Sequence, residues 1–498
     1  MTTPEIVGPD VKAPDPRRWK ALAVLGLVQF MFILDITVVN VALPKVRVDL
    51  GFSQSGLAWV VNGYVLTAGG LLLLGGRLAD MFGRRKLFLI GVGLFAVASA
   101  TCGSATDPAM LVASRFVQGM GEALASPASL GLLPVLFPDP KERIKALGIW
   151  GGIAGLGGTA GSVLSGVITT YLSWRWIFFV NLPVAVFALI FLPRLTAESR
   201  MTRQQGAHRP DFEGAVTGAA GLIALVYGVL QAANHPWGSG HVLLPLFGGI
   251  ALLLLMVFIE AHSPAPLIPL GFFKNRTRVV TNIASLLLMS GFLTYFFMMT
   301  LFEQQVLHYS PIRSGLSYLP FGVTIGAGIG LGTALMPRIG VRPLLSGGFI
   351  LGAVGLLLTS SINPNPSYAS HILPGMIVLA LGAGLSFPAI GNASLHGVTG
   401  QDSSLASGVQ NAMQQIGGAL GLSTIVTIAL RRASSQIAHG VPPSTAFTHG
   451  YVLGFRVGAV LLLVAGVLTL VLLERVTGTA RSPVIECDAP VEAANPAA

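Results

Sequence analysis

The sequence predicts an all-α membrane protein, with fourteen transmembrane helices in two six-helix bundles and a two-helix insertion between the bundles. Three observations predict it. Hydrophobic residues make up 53% of the 498 positions and charged residues only 10%, where a soluble domain carries about 25% charged residues. Apolar runs of about 20 residues, long enough to cross a hydrocarbon core of about 30 Å, recur along almost the whole chain. The basic residues gather in alternate connections between those runs, as they do when one side of a membrane is cytoplasmic.

The runs fall at 20–42, 57–76, 87–105, 109–133, 146–170, 175–193, 212–232, 242–260, 280–302, 315–336, 343–361, 372–395, 407–430 and 452–473. The first six form an N-terminal bundle at 20–193. The basic segment 194–211 is a cytoplasmic connector, 212–260 a linker hairpin, 261–279 a cytoplasmic loop and 280–473 the C-terminal bundle. With the N-terminus inside, 22 of the 30 Lys and Arg lie on the inner side, among them Arg17, Arg84, Lys86, Arg194 and Lys274. That bias places the chain in a cytoplasmic (inner) membrane with both termini in the cytoplasm. It also accounts for the net charge of +10 without nucleic acid. Residues 1–19 are polar and proline-bearing with no cleavable signal pattern, so the first run is expected to remain as a helix. Residues 474–498 read as a disordered cytoplasmic tail. Cys102 lies inside a run and Cys487 in the tail, which implies no disulfide framework.

The first run, "FMFILDITVVNVALP", sets Asp35 and Asn40 among apolar residues. A charged Asp at the centre of a membrane helix costs about 2.5–3.5 kcal/mol on insertion scales, so it needs a buried partner or a task. Asp35 is expected to face a central cavity, exchanging a proton or pairing with a cationic ligand. The other reading is a carboxyl held by Arg115. After the second run, "GGRLADMFGRRK" places Asp80 at the inner end of a helix, with Gly83, Arg84 and Arg85 following. Gly83 permits a backbone conformation that other residues avoid, and the acid and bases make a latch that gates movement of the bundles. After the tenth run, "GTALMPRIGVRP" repeats the pattern, with Gly332, Gly340 and Arg342 matching Gly75, Gly83 and Arg85, and Pro337 in place of Asp80. Weak internal symmetry of this kind is what transporters built from duplicated halves show.

In the fourth run Arg115, Gln118, Gly119 and Glu122 recur at helical spacing on one face, which must point into the protein or a watery cavity. Glu122 is either a structural partner of Arg115 or a second titratable group. The fifth run pairs small residues four apart, Gly157 with Gly161 and Gly158 with Ser162 among them, so that helix backbones approach closely. The ninth run, "SGFLTYFFMMTLFEQQ", offers Tyr295 and Phe296 with two Met as an adaptable apolar surface, and Glu303 is expected at the cavity mouth. In the thirteenth run Gln410, Asn411, Gln414 and Gln415 cluster, which suits a face lining a cavity.

These motifs resemble the major facilitator superfamily, and in detail its fourteen-spanning drug:proton antiporter family. "GGRLADMFGRRK" is similar to the superfamily's signature loop, "LDITVVNVALP" to the family's first-helix motif and "LVASRFVQGMGEA" to the fourth-helix motif. "SWRWIFFVNLPVA" resembles the start of its sixth helix and "ASGVQNAMQQIGGALG" its thirteenth. The resemblance spans nearly the whole chain. It implies the major facilitator fold and a role for Arg115 in proton coupling. Glu122 departs from the small residue usual there. Related exporters carry Gly-Pro at the positions of Gly161-Ser162, an element associated with antiport, which this chain lacks.

A membrane enzyme is disfavoured, because HExxH, GxSxG and P-loop patterns are all missing from the sequence and the nine His are scattered. No cofactor or metal is called for. The expected function is proton-coupled export of amphiphilic drugs, antibiotics or related small molecules by alternating access, in a monomer among membrane lipids. Asp35, Arg115 and Glu122 are the expected coupling group. Asn40, Gln118, Tyr295, Phe296, Gln410, Asn411 and Gln414 are the expected substrate contacts, and Asp80, Gly83, Arg84 and Arg85 the gate. The alternative is a proton-linked importer of a small metabolite.

Overall fold

In hydrocarbon each backbone N–H and C=O must be satisfied within the protein, which makes helix the conformation of an apolar run. The structure, a computed structural model, describes residues 17–137, 139–198, 211–263, 266, 270–364, 366–394 and 403–474. The expected tails and most of the connector at 194–211 lie outside the described residues, as does part of the loop at 261–279. Among the described residues there is no strand.

Among the described residues fourteen long helices follow one another. They are α1 (Arg18–Leu50), α2 (Ala58–Phe82), α3 (Arg84–Gly103), α4 (Pro108–Leu136), α5 (Pro140–Tyr171), α6 (Trp176–Leu195) and α7 (Phe212–Gln231). Then come α8 (Gly240–His262), α9 (Arg276–Val306), α10 (Pro311–Ile339), α11 (Val341–Thr359), α12 (Tyr368–Ser394), α13 (Ser403–Ala438) and α14 (Pro443–Leu472). Several outrun the apolar windows that predicted them. α1 continues through Pro44 to Leu50, and α13, at 36 residues, is about 54 Å long at 1.5 Å per residue. Hydropathy marks only the part of a helix inside the hydrocarbon.

Caps set several starts. Asp107 accepts from the Met110 N–H at 2.9 Å, with Pro108 opening α4, and Asp211 accepts from the Gly214 N–H at 2.7 Å at the start of α7.

The two bundles repeat one packing scheme. In the first, α2 and α3 pack on α4, α1 on α5, and α6 on both α1 and α3. In the second, α10 and α11 pack on α12, α9 on α13, and α14 on both α9 and α11. The turns between α2 and α3 and between α10 and α11 repeat as well. Gly83 and Gly340 both take positive φ, +109° and +82°. The base two residues on reaches the carbonyl end of the sixth helix of its own bundle, Arg85 to Thr196 at 2.9 Å and Arg342 to Leu470 at 2.6 Å. The insertion, α7 and α8, rests on α2 and α13 through α7, while Leu244, Phe247 and Leu254 of α8 stay exposed as a lipid-facing surface.

α2 of the first bundle packs along α13 of the second, and on the side away from Arg18 and Leu472, the distal side, the bundles also meet through α5 and α10. There Gly315 of α10 packs against the Ser162 carbonyl of α5, and Gly166 of α5 packs against the Pro311 carbonyl. The Gln304 amide donates to the Val41 carbonyl at 2.8 Å, Gln54 to Gln305 at 3.3 Å, and the Ile312 N–H to Thr170 Oγ1 at 3.0 Å. A cleft of about 520 Å³ lies over this seal, lined by Lys45, Asp49, Trp174, Gln304, Tyr309 and Pro311 among others.

Candidate functional site

A buried carboxylate survives in an apolar bundle only if its lone pairs and charge are answered. Asp35, 0% exposed, is answered from two other helices. Arg115 Nη1 of α4 forms an ion pair with Oδ2. Oδ1 accepts from Gln118 Nε2 at 2.9 Å and from Asn181 Nδ2 of α6 at 2.8 Å. Arg115 also donates to the Val60 carbonyl at 2.8 Å and to Gln118 Oε1 at 2.7 Å. Its guanidinium lies 4.3 Å from the centre of the Tyr64 ring, a cation–π contact. Ser99 of α3 closes the network by accepting from Gln118 at 2.8 Å.

The helical spacing in the fourth run brings Arg115 and Gln118 to one face, as the pattern predicts. The tertiary fold points that face at α1, α2, α3 and α6. Asp35 was expected at a central cavity; the structure seats it inside the first bundle, paired with Arg115. Gln118, expected to touch substrate, is fully buried in the same network. Glu122 lies one turn further along α4, 6% exposed and beside Tyr64, and its Oε2 has no hydrogen-bond partner among the described residues. Asn40 donates to the Ile36 carbonyl of its own helix at 3.2 Å, leaving its Oδ1 without a partner among the described residues.

The expected binding residues of the second bundle divide between core and surface. Tyr295 is fully buried, stacked with Phe321 at 6.2 Å between ring centres. Phe296 is half-buried, against Tyr318 and Phe321 at 5.1 and 4.8 Å. On α13, Gln410 Oε1 accepts from Ser394 Oγ at 2.6 Å, Asn411 is exposed and Gln414 half-buried. Gly417 and Gly421 press α13 onto Leu286 and Ser290 of α9.

At the turn after α2, Asp80 pairs with Arg84 at 2.8 Å, and Arg84 donates to the Gly131 carbonyl near the end of α4, also at 2.8 Å. Gly83 has no room for a side chain, since a Cβ there would stand 2.5 Å from Glu198 Oε1. Glu198, after α6, caps α3 by accepting from the backbone N–H groups of Arg85 and Lys86, both at 3.1 Å. An anion at a helix N-terminus is stabilised by the free N–H groups there.

Sequence reasoning missed Asn181, Ser99 and Glu198. Asn181 had a signal, because it is the one polar residue in "WIFFVNLPVAVFALIFL". Ser99 and Glu198 had none, since a Ser in an apolar helix and a Glu in a charged connector are ordinary.

Duplicated six-helix bundles, a distal seal between them and a buried ion-pair network define a membrane transporter of small molecules, not an enzyme. The sequence pattern of the Major Facilitator Superfamily matches residues 25–422, and the chain belongs to that superfamily. It is 37% identical to the puromycin resistance protein pur8 of Streptomyces alboniger, with 94% of each chain covered. It is 38% identical to the cephamycin export protein CmcT of Amycolatopsis lactamdurans, over 82% of this chain and 84% of the relative. Among solved structures it is similar to the xylose transporter XylE from E. coli in an inward open conformation, at a TM-score of 0.62 and 14% identity, covering 93% of this chain and 97% of that one. At that identity the likeness is one of fold.

Proposed function

We propose that the protein exports an amphiphilic antibiotic-like molecule across the cytoplasmic membrane, exchanging it for protons by alternating access. Its distal side is then the outer face and both termini are cytoplasmic. The observation that carries the reading is the Asp35–Arg115 pair, buried in the first bundle and shared among four helices by Gln118, Asn181 and Ser99. A proton on Asp35 cancels its charge and releases Arg115, so the neutral and charged forms favour different packings of α1 against α4 and α6. That is a population shift of the kind alternating access needs. Glu122, two turns along α4 from Arg115, is the next proton acceptor. Relatives named for puromycin resistance and cephamycin export support outward transport of such molecules.

The half-buried Phe296 and the amides of Gln410, Asn411 and Gln414 form the substrate surface, and Asn40, buried with an Oδ1 that has no partner among the described residues, joins it when the bundles part. Gln118 and Tyr295, being fully buried, hold their neighbours in place. Asp80, Gly83, Arg84 and Arg85 hold the cytoplasmic ends of α2, α3, α4 and α6 in register as the bundle rocks. The transporter works as a monomer among lipids.

The test is ethidium uptake into inverted vesicles on imposing an interior-acid gradient. The native protein is expected to accumulate dye, and Asp35→Asn to bind dye without accumulating it. Gradient-driven uptake by Asp35→Asn at the native rate would remove Asp35 from the coupling role.

A further inference from the structure

At its distal end α9 finishes in a π-turn, Phe302–Val306, which places three consecutive polar side chains in three directions. Gln304 reaches the Val41 carbonyl of α1, and Gln305 accepts from Gln54 between α1 and α2. Glu303 turns the other way and is 0% exposed. Its Oε2 accepts from Ser314 Oγ at 2.6 Å and its Oε1 from Ser317 Oγ at 2.8 Å. Both serines belong to Pro311–Ser317, the first turns of α10, whose Gly315 packs on Ser162 of α5. Among the described residues no cation pairs with Glu303. The charged or titratable groups around it are Arg313 and Tyr318 on α10, Tyr295 on α9 and Tyr368 on α12.

We infer that Glu303 is a positioning residue of the transport cycle: its carboxyl, bonded to Ser314 and Ser317, ties the first turns of α10 to the end of α9 and so keeps Gly315 seated on Ser162 of α5, holding the distal gate shut. The inference rests on the alternating-access reading. A buried carboxyl without an ion-pair partner among the described residues is an expensive way to fill space, and an apolar side chain would pack the same volume at lower cost. What the acid adds is reversibility. Hydrogen bonds exchanged for water change little in net free energy, so a latch made of two of them opens when water enters, whereas apolar packing resists wetting. The π-turn supplies the geometry, since the extra residue per turn aims Glu303 at α10 while Gln304 and Gln305 keep hold of the first bundle.

Ser162→Cys is the reporter, because Ser162 is 3% exposed beneath Gly315. It is placed in a Cys102→Ala/Cys487→Ser background, because Cys102 lies at the distal end of α3, and labelled from outside with a membrane-impermeant maleimide on right-side-out proteoliposomes. Glu303→Ala and the double variant Ser314→Ala/Ser317→Ala are each expected to label at least about tenfold faster than the reporter chain, the scale set by losing two hydrogen bonds to a carboxyl. Glu303→Gln retains one acceptor for the two serines and is expected to label at a rate between the parent and Glu303→Ala. The double variant leaves the carboxyl in place and carries the test if Glu303→Ala does not fold. Unchanged labelling in the Ala variants, or Gln labelling as fast as Ala, overturns the latch. Labelling needs neither a proton gradient nor a substrate, so a failure of proton-driven export leaves this result distinguishable.

Discussion

Asp35 and Arg115 stand 80 positions apart and meet as an ion pair with side chains 0% and 1% exposed. Removing one partner of a buried pair costs about 3–5 kcal/mol, because the other charge is stranded, while replacing both with apolar groups of similar volume is often nearly neutral. Arg115→Met should therefore lower the thermal midpoint in detergent sharply, and Asp35→Leu/Arg115→Met should recover most of the loss. Additive losses in that double-mutant cycle would show that the two side chains act independently. The sequence made both residues conspicuous, since each is a charge in an apolar run. Their distribution among Asn181, Gln118 and Ser99 was invisible, because no spacing rule connects α1, α3, α4 and α6.

Several seams between elements here depend on backbone contact at glycines. A Cβ at Gly119 would stand 2.1 Å from Thr67 Oγ1 and 2.3 Å from the Tyr64 carbonyl, at the seam where Thr67 donates to the Phe116 carbonyl at 2.9 Å. Gly119→Val is expected to wedge α2 from α4 and destabilise the protein by about 1–3 kcal/mol, the usual cost of overpacking. Gly248, with open space where its Cβ would point, is the control, and Gly248→Ala should leave the midpoint unchanged or raise it. Equal loss at both positions in thermal unfolding would mean the seam is not tight. At the turn after α2, Gly83→Ala combines a φ of +109° with the clash against Glu198, and it should be less stable than Glu198→Gln, which weakens the cap alone.

At the scale of the whole molecule, the seal between the bundles lies on the distal side, through Gln304, Gln54, Gln305 and the α5–α10 glycines. Gln54→Cys and Gln305→Cys, joined by a short bismaleimide, should freeze that seal and stop transport, with either single variant unaffected by the reagent. Transport that continues after complete cross-linking would show that these residues need not separate. The proposed orientation has its own test. A fluorescent protein fused after Ala498 should be protected from protease added outside intact cells, and digestion there would invert the topology.

Several features were settled by the sequence alone. Helices were forced by the length and apolarity of the runs, since lipid offers the backbone no other partners. The halves were marked as repeats by Gly83 and Gly340 with a base two positions on, and Arg115 and Gln118 were set on one helix face by spacing. Tertiary structure alone decided where those faces point. It turned Asp35 and Gln118 from an expected cavity wall into the core of the first bundle, sent Tyr295 into an aromatic cluster, and drew Glu303 from an expected cavity mouth onto two serines. The physical reason is that periodicity within a helix orders residues around its own axis, while the rotation of that axis against its neighbours comes from glycine contacts and hydrogen bonds between segments far apart in the chain.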